Sequence, residues 1–222
     1  MIAYADNKVK MCRSLLGYNS IESDNIIITP LRNIFENLRV FANLPELNND
    51  GFYSNFTFNT SSGTKVFVIC VPQGMQAQDV MYVLNRKKIL FLGYAGSLTI
   101  QNHIGDIVEA KKAFTNSDES IALSLSTRLK KIIVGYSPVL VGELAEEFHS
   151  IAKSQSCDAV DMETAYCAKA AIKNENTFSS VLLISDIIGK TEFWELDDND
   201  TICFANGNKK LIELALHHFD KT

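Results

Sequence analysis

Short runs of strand-type residues alternate with stretches of helical periodicity along almost the whole chain, and a chain written this way has few folds open to it. "NIIIT" (residues 25–29) leads into Pro30, which suits a first helical turn. "LRNIFENLRVFANL" then sets Leu31, Ile34, Phe35, Leu38 and Phe41 on one helical face. "FYSNFTFN" and "TKVFVICV" flank the turn-rich "TSSG", the pattern of an antiparallel hairpin. A helix expected over residues 78–86 leads to the buried strand "KILFLG". Further along, "GDIVEAKKA", "LKKIIVGY", "CDAVDM" and "FSSVLLISD" read as strands. "GELAEEFHSIAK", "ETAYCAKAAIK" and "NKKLIELALHHF" read as helices. Strands separated by helices predict a single α/β domain with a twisted, mixed, mostly parallel sheet flanked by helices. Residues 1–24 read as an N-terminal helical extension and residues 25–222 as the α/β domain, with no linker or repeat between.

Composition narrows the partners. The net charge of −5, from 21 basic and 26 acidic residues, lacks the basic excess that nucleic-acid binding requires. No apolar run reaches the roughly 18 residues of a membrane span, and the opening "MIAYADNKVKMCRSLLGY" lacks the layout of a signal peptide. Five scattered cysteines (Cys12, Cys70, Cys157, Cys167, Cys203), never spaced as a pair of ligands, predict reduced, packed thiols in a cytoplasmic protein. No metal site and no cofactor is expected.

In sheets of this kind ligands bind beyond the carboxyl ends of the strands, and three strand ends carry unusual residues. In "FLGYAGSL" (residues 91–98) Gly93 and Gly96 allow a close backbone approach to a ligand, though many strand-to-loop turns use glycine. In "VDMETAY" (residues 160–166) a strand gives way to a helix through Asp161, Met162 and Glu163. A carboxylate there can serve a site or merely cap the helix. In "LLISDII" (residues 182–188) Asp186 leaves a buried strand. Desolvation in a cleft would raise its pKa and suit it to donate a proton, and capping of the next loop is the plainer alternative.

Taken together and in this order, the three stretches resemble the nucleoside phosphorylase and nucleosidase superfamily. "LFLGYAGSL…IGDIV", with Gly105 and Asp106, is similar to its glycine loop and following strand. "VDMETAYCAKAA" is similar to its Val-Glu-Met-Glu-Ala block, with Asp161 at the first glutamate, and "LLISD" to its Ser-Asp strand end. The resemblance implies cleavage of the N-glycosidic bond of a purine-type nucleoside through an oxocarbenium-like transition state. It assigns Asp186 as the acid at the leaving base and Glu163 to the ribose hydroxyls, with Met162 packing on the sugar. Asp161, Tyr94, Ala95 and Gly96 complete the substrate contacts. It also implies a homo-oligomer and a small-molecule nucleoside as partner.

The acceptor stays open at this level. "ITPLRNIFE" resembles the Pro-Leu-Arg segment of hexameric phosphorylases, which implies inorganic phosphate as a partner held by Arg32. Phe91 and Tyr94 stand where those enzymes carry arginine and serine, and no glutamate follows the first strand as in the nucleosidases. His103 could add an anion contact or lie on the surface; His149, His217 and His218 receive no role. The segment 137–141 and the loop "IIGKTEFWELDD" would contact the base, with Phe193 and Trp194 stacking, closing as a lid or packing in the core. Two other readings remain: a non-catalytic nucleoside binder of the same fold, and a Rossmann-type enzyme such as a methyltransferase using "GYAGSL" as its nucleotide loop.

Overall fold

A computed structural model describes residues 4–117, 119–125, 127–138 and 142–221. Its strands are β1 (Asn25–Thr29), β2 (Asn55–Asn59), β3 (Lys65–Cys70), β4 (Lys88–Ser97), β5 (Ile107–Phe114), β6 (Ser120–Ala122), β7 (Lys130–Tyr136), β8 (Ala159–Asp161) and β9 (Thr177–Ile187). The α-helices are α1 (Tyr4–Leu16), α2 (Arg32–Phe41), α3 (Gly142–Ser154), α4 (Thr164–Lys173) and α5 (Asp198–His217). The mixed sheet flanked by helices is the architecture that the alternation predicts.

β1 lies between β3 and β4 and runs parallel to both, with Ile27 opposite Val68 on one side and Leu90 on the other. A strand covered on both faces can be apolar throughout, which is why "NIIIT" shows no alternation. β2 extends this half as the antiparallel partner of β3. Beyond β4 the sheet closes on itself. β4 pairs with β8, β8 with β7, β7 with β5, β5 with β9, and β9 again with β4. Two of these contacts, β4 with β8 and β5 with β9, are antiparallel and short, so the closing seams are the least regular part of the ring. The three-residue β6, which the sequence pattern did not single out, pairs with β5 outside the ring.

Three expected elements differ in detail. The helix expected over 78–86 is a 3₁₀ helix over Met75–Tyr82. Ala77, Val80 and Met81 are buried at a spacing that serves either helix type, and Arg86, at φ 55°, prevents extension. Phe41 is half exposed, because Asn43 and Leu44 take positive φ and turn the chain away directly after α2. The final helix begins at Asp198, well before Asn208. Asp197 caps it by accepting from the backbone N–H of Asp200 at 2.7 Å, and Asp198 and Asp200 sit in its first turn. Cys12 and Leu16 of α1 are buried in the same core as β1 and β3. Cys157 and Cys167 are buried as well, Cys70 and Cys203 half-buried, and all five thiols are free.

α5 lies against β9 and the turn before β5, and Gly207 sets how closely. A methyl group there would meet the Leu183 side chain and the Gly105 carbonyl oxygen at 2.6 Å. Gly207→Ala is therefore expected to destabilise the fold by about 1–3 kcal/mol, the usual cost of overpacking, despite the better helix propensity of alanine. Urea unfolding should show a lower midpoint at unchanged slope.

Candidate active site

One cavity of about 250 Å³ opens at the ends of β4, β8 and β9 and collects most of the expected site residues. Tyr94, Ala95, Gly96, Asp161, Met162, Glu163 and Asp186 all line it. Glu163 and Asp186 come from different strand ends, 23 positions apart in sequence, and face a common hollow.

Asp186 reaches the cavity through a bulge. β4 and β9 run in register until Ala95 faces Ile184, after which Gly96 faces Asp186 and Ser185 is left over. Consecutive strand residues normally point to opposite faces; the extra residue re-aims the chain, so that Ser185 and Asp186 both line the cavity. The Ser185 hydroxyl donates to Asp186 Oδ1. Burial is the largest influence on this carboxyl and raises its pKa; the Ser185 bond opposes the rise and the nearby Glu192 charge adds to it. Gly96 leaves the room this arrangement needs, since a methyl group there would stand 2.9 Å from Ile188 Cδ1 and 3.1 Å from Asp186 Oδ2. Gly96→Ala is expected to displace the acid and to lower turnover about tenfold or more, by the sensitivity of catalysis to small misplacements. A circular dichroism spectrum like that of the parent would show that the fold survives. Gly93 has another role. It lies within β4, and the space at its missing Cβ is taken by Phe91 Cε1 at 2.8 Å and Leu182 Cδ2 at 3.1 Å, so it serves core packing.

The two acidic residues at the end of β8 and just beyond it divide their work. Glu163 occupies the N-cap position of α4, yet its side chain makes no capping bond. It turns to the loop after β3 and accepts from the Gly74 backbone N–H at 2.6 Å. Gly74 has φ 80°, a conformation that favours glycine. Asp161 does the capping: both its oxygens face the Thr164 N–H, at 3.2 and 3.0 Å, and the Thr164 hydroxyl donates to it as well. Burial raises the pKa of both carboxyls, and for Asp161 the charge of Glu163 adds to the rise. Burial and mutual repulsion disfavour ionisation of both carboxyls at once.

Arg32 is not brought to this cavity. Its side chain is 58% exposed and pairs with Glu36 at 2.5 Å, donates to Ser54 Oγ at 3.3 Å, and lines a separate open groove with Cys70 and Asp79. The physical reason is local: Glu36 sits one helical turn on and captures the guanidinium. His103 is also elsewhere, 81% exposed beside Asp106. Phe193 and Trp194 line the cavity mouth and are 47% and 59% exposed, which excludes core packing for them; Phe193 meets Phe204 edge-on with centroids 5.6 Å apart. Of the segment 137–141, Ser137 lines the cavity and residues 139–141 lie outside the described residues.

Two polar lining residues were given no role beforehand: Gln73 precedes the glycine that binds Glu163, and His149 comes from α3. Glu192 belongs to the loop after β9 that was expected to contact the base. Burial lowers the pKa of His149; Lys153 lowers it further and Glu192 raises it. Glu192 accepts from the Gly189 N–H at 3.2 Å. The "PQG" turn shortly after β3 marks a strand-to-loop turn, but many such turns use glycine, so it does not single out Gln73. The spacing of "GELAEEFHSIAK" carries no signal for His149 either.

"GYAGSL" is the end of β4 and no helix follows it; the next element is β5. A nucleotide loop needs a helix N-terminus at that place, so the Rossmann reading falls. No helix among the described residues is long and apolar enough to cross a membrane.

The closed ring with its flanking helices is the fold of solved nucleoside phosphorylases and nucleosidases. Among solved structures, the chain is similar to the 5′-methylthioadenosine/S-adenosyl homocysteine nucleosidase of Campylobacter jejuni, with a TM-score of 0.74 and 15% identity over 90% of this chain and 100% of that one. It is also similar to uridine phosphorylase from Vibrio fischeri, with a TM-score of 0.72 and 14% identity over 90% and 92% of the two chains. A futalosine hydrolase mutant of Helicobacter pylori gives a TM-score of 0.72 and 16% identity over 90% and 100%. No protein-family model matches the sequence, and no curated protein matches it.

Proposed function

We propose that this chain cleaves the N-glycosidic bond of a purine-type nucleoside. The observation that carries the reading is the meeting of Glu163 and Asp186 in one cavity, from two strand ends. Breaking the bond leaves an electron-poor sugar and an electron-rich base. A buried carboxyl whose pKa is raised suits protonation of the leaving nitrogen, and burial raises that of Asp186. A second buried carboxyl, fixed by the Gly74 N–H, suits the sugar: it accepts from hydroxyls and stabilises the positive charge that builds beside it. Met162 and Val160 supply apolar wall along the same side. The purine assignment comes from the resemblance of "LLISD" to the family's Ser-Asp strand end. An acid at Asp186 is compatible with it, since the five-membered ring nitrogen of a purine is a good proton acceptor. The names of the three similar structures, a nucleosidase, a nucleoside phosphorylase and a hydrolase, support the same class of chemistry.

The test is to incubate the purified protein with a panel of purine and pyrimidine nucleosides and to follow free base by chromatography. Release from at least one purine nucleoside is the expected result. Saturable binding without release would instead make the chain a nucleoside binder. The same reading carries a homo-oligomer working in the cytoplasm, and sedimentation velocity decides the first of these.

A further inference from the structure

We propose that the acceptor in this site is water and that the cavity is built against an inorganic anion; the inference rests on the cleavage reading above and names its second substrate. Four carboxyl groups line the cavity, those of Asp161, Glu163, Asp186 and Glu192, and the described lining residues include no lysine or arginine. Phosphate would bring further negative charge into an enclosed space where acidic groups already oppose one another.

Three hydrogen-bond donors at or beside the cavity are already committed. The Tyr94 hydroxyl accepts from Asn33 Nδ2 at 2.7 Å and gives its single proton to Asn208 Oδ1, also at 2.7 Å, while Phe204 packs edge-on at 5.0 Å. Amides from two helices therefore hold the phenol with its proton turned away from any ligand. The Gly74 N–H is given to Glu163 and the Ser185 hydroxyl to Asp186. The cation nearest in sequence to the cavity wall of Pro30 and Leu31 is Arg32, and Glu36 neutralises it outside. Gln73, beside that wall, offers an amide, a neutral group that donates and accepts as a water molecule requires.

The step balances with water alone. The bond from C1′ to nitrogen breaks with its electron pair leaving on the base, which takes the proton of Asp186. The water oxygen forms the new bond to C1′, and the proton it loses passes to a cavity carboxylate and on to solvent. Asp186 regains a proton from solvent, so that one nucleoside and one water give one free sugar and one base.

The test uses the full chain and a nucleoside that the panel shows to be cleaved, in phosphate-free buffer made with heavy-oxygen water, with and without added phosphate. The expected result is release at rates equal within about twofold in the two buffers, too small a difference for a missing co-substrate. The free sugar should carry the heavy oxygen, and no sugar 1-phosphate should form. Release only with phosphate, together with sugar 1-phosphate, would overturn the water acceptor and leave the cleavage reading standing. Release from no nucleoside in either buffer would take both down. A calorimetric titration with inorganic phosphate gives an answer without turnover: no saturable heat is expected, and binding tighter than about 1 mM would overturn the inference.

Discussion

Asp186→Asn is expected to lower kcat for base release by about 10²–10⁴-fold, the usual contribution of a general acid, with little change in nucleoside affinity. Asparagine keeps the shape and can still accept from Ser185, but has no proton to transfer. The pH profile makes the claim sharper. Burial raises the pKa of Asp186, so its acid form persists above the usual carboxylate range, and turnover should fall as pH rises through the folded value. The variant should lose that limb along with its rate. Stability moves with the same group. Because the folded pKa is raised, the native state binds more protons than the unfolded one once pH exceeds the unfolded value, and stability declines from there up to the folded value. Asp186→Asn removes this decline, so a folded but inactive variant, at least as stable as the parent in mild base, is the expected outcome. A fully active variant would remove Asp186 from the mechanism.

The second large effect is expected at Glu163. Glu163→Gln keeps an oxygen for the Gly74 N–H and keeps the volume, but removes the negative charge beside the sugar. A loss of about 10²–10³-fold in kcat/KM is expected, comparable to deleting one preorganised electrostatic contact. The loss should divide between kcat and KM on the proposed reading, in which the carboxylate serves hydroxyls in the ground state and charge in the transition state. Retention of the full rate by the glutamine variant would leave Glu163 as a structural partner of Gly74 alone. Isothermal titration with an intact nucleoside separates binding from chemistry in both variants.

The α/β layering was legible because it depends on local periodicity: "NIIIT", "KILFLG" and "LLISD" can hardly be other than buried strands. The closing of the sheet into a ring was not legible, because the seam between Gly96–Ser97 and Ala159–Val160 joins distant segments through two short pairings. The acidic pair at the end of β8 was recognised, but its division of labour was not. Spacing alone cannot say that Asp161 caps the helix while Glu163 reaches across to Gly74. For Arg32 the signal was present and outweighed by resemblance: Glu36 four positions later, on the same helix, is the spacing of an ion pair. His149 carries no local sign, since its place at the site depends on how α3 packs around the strand ends.

A cylinder of strands whose last member is stitched to the first cannot widen on one side alone. The staves that carry Asp186 and the Asp161–Glu163 pair hold a fixed spacing, so the reach between these carboxyls is set by the backbone and not by a ligand. Accommodation of bulkier or smaller substrates falls to the appendages of the cylinder, chiefly the loop bearing Glu192, Phe193 and Trp194 and the helix bearing His149. Selection for a new nucleoside in the laboratory should therefore collect changes in those appendages and leave the staves alone.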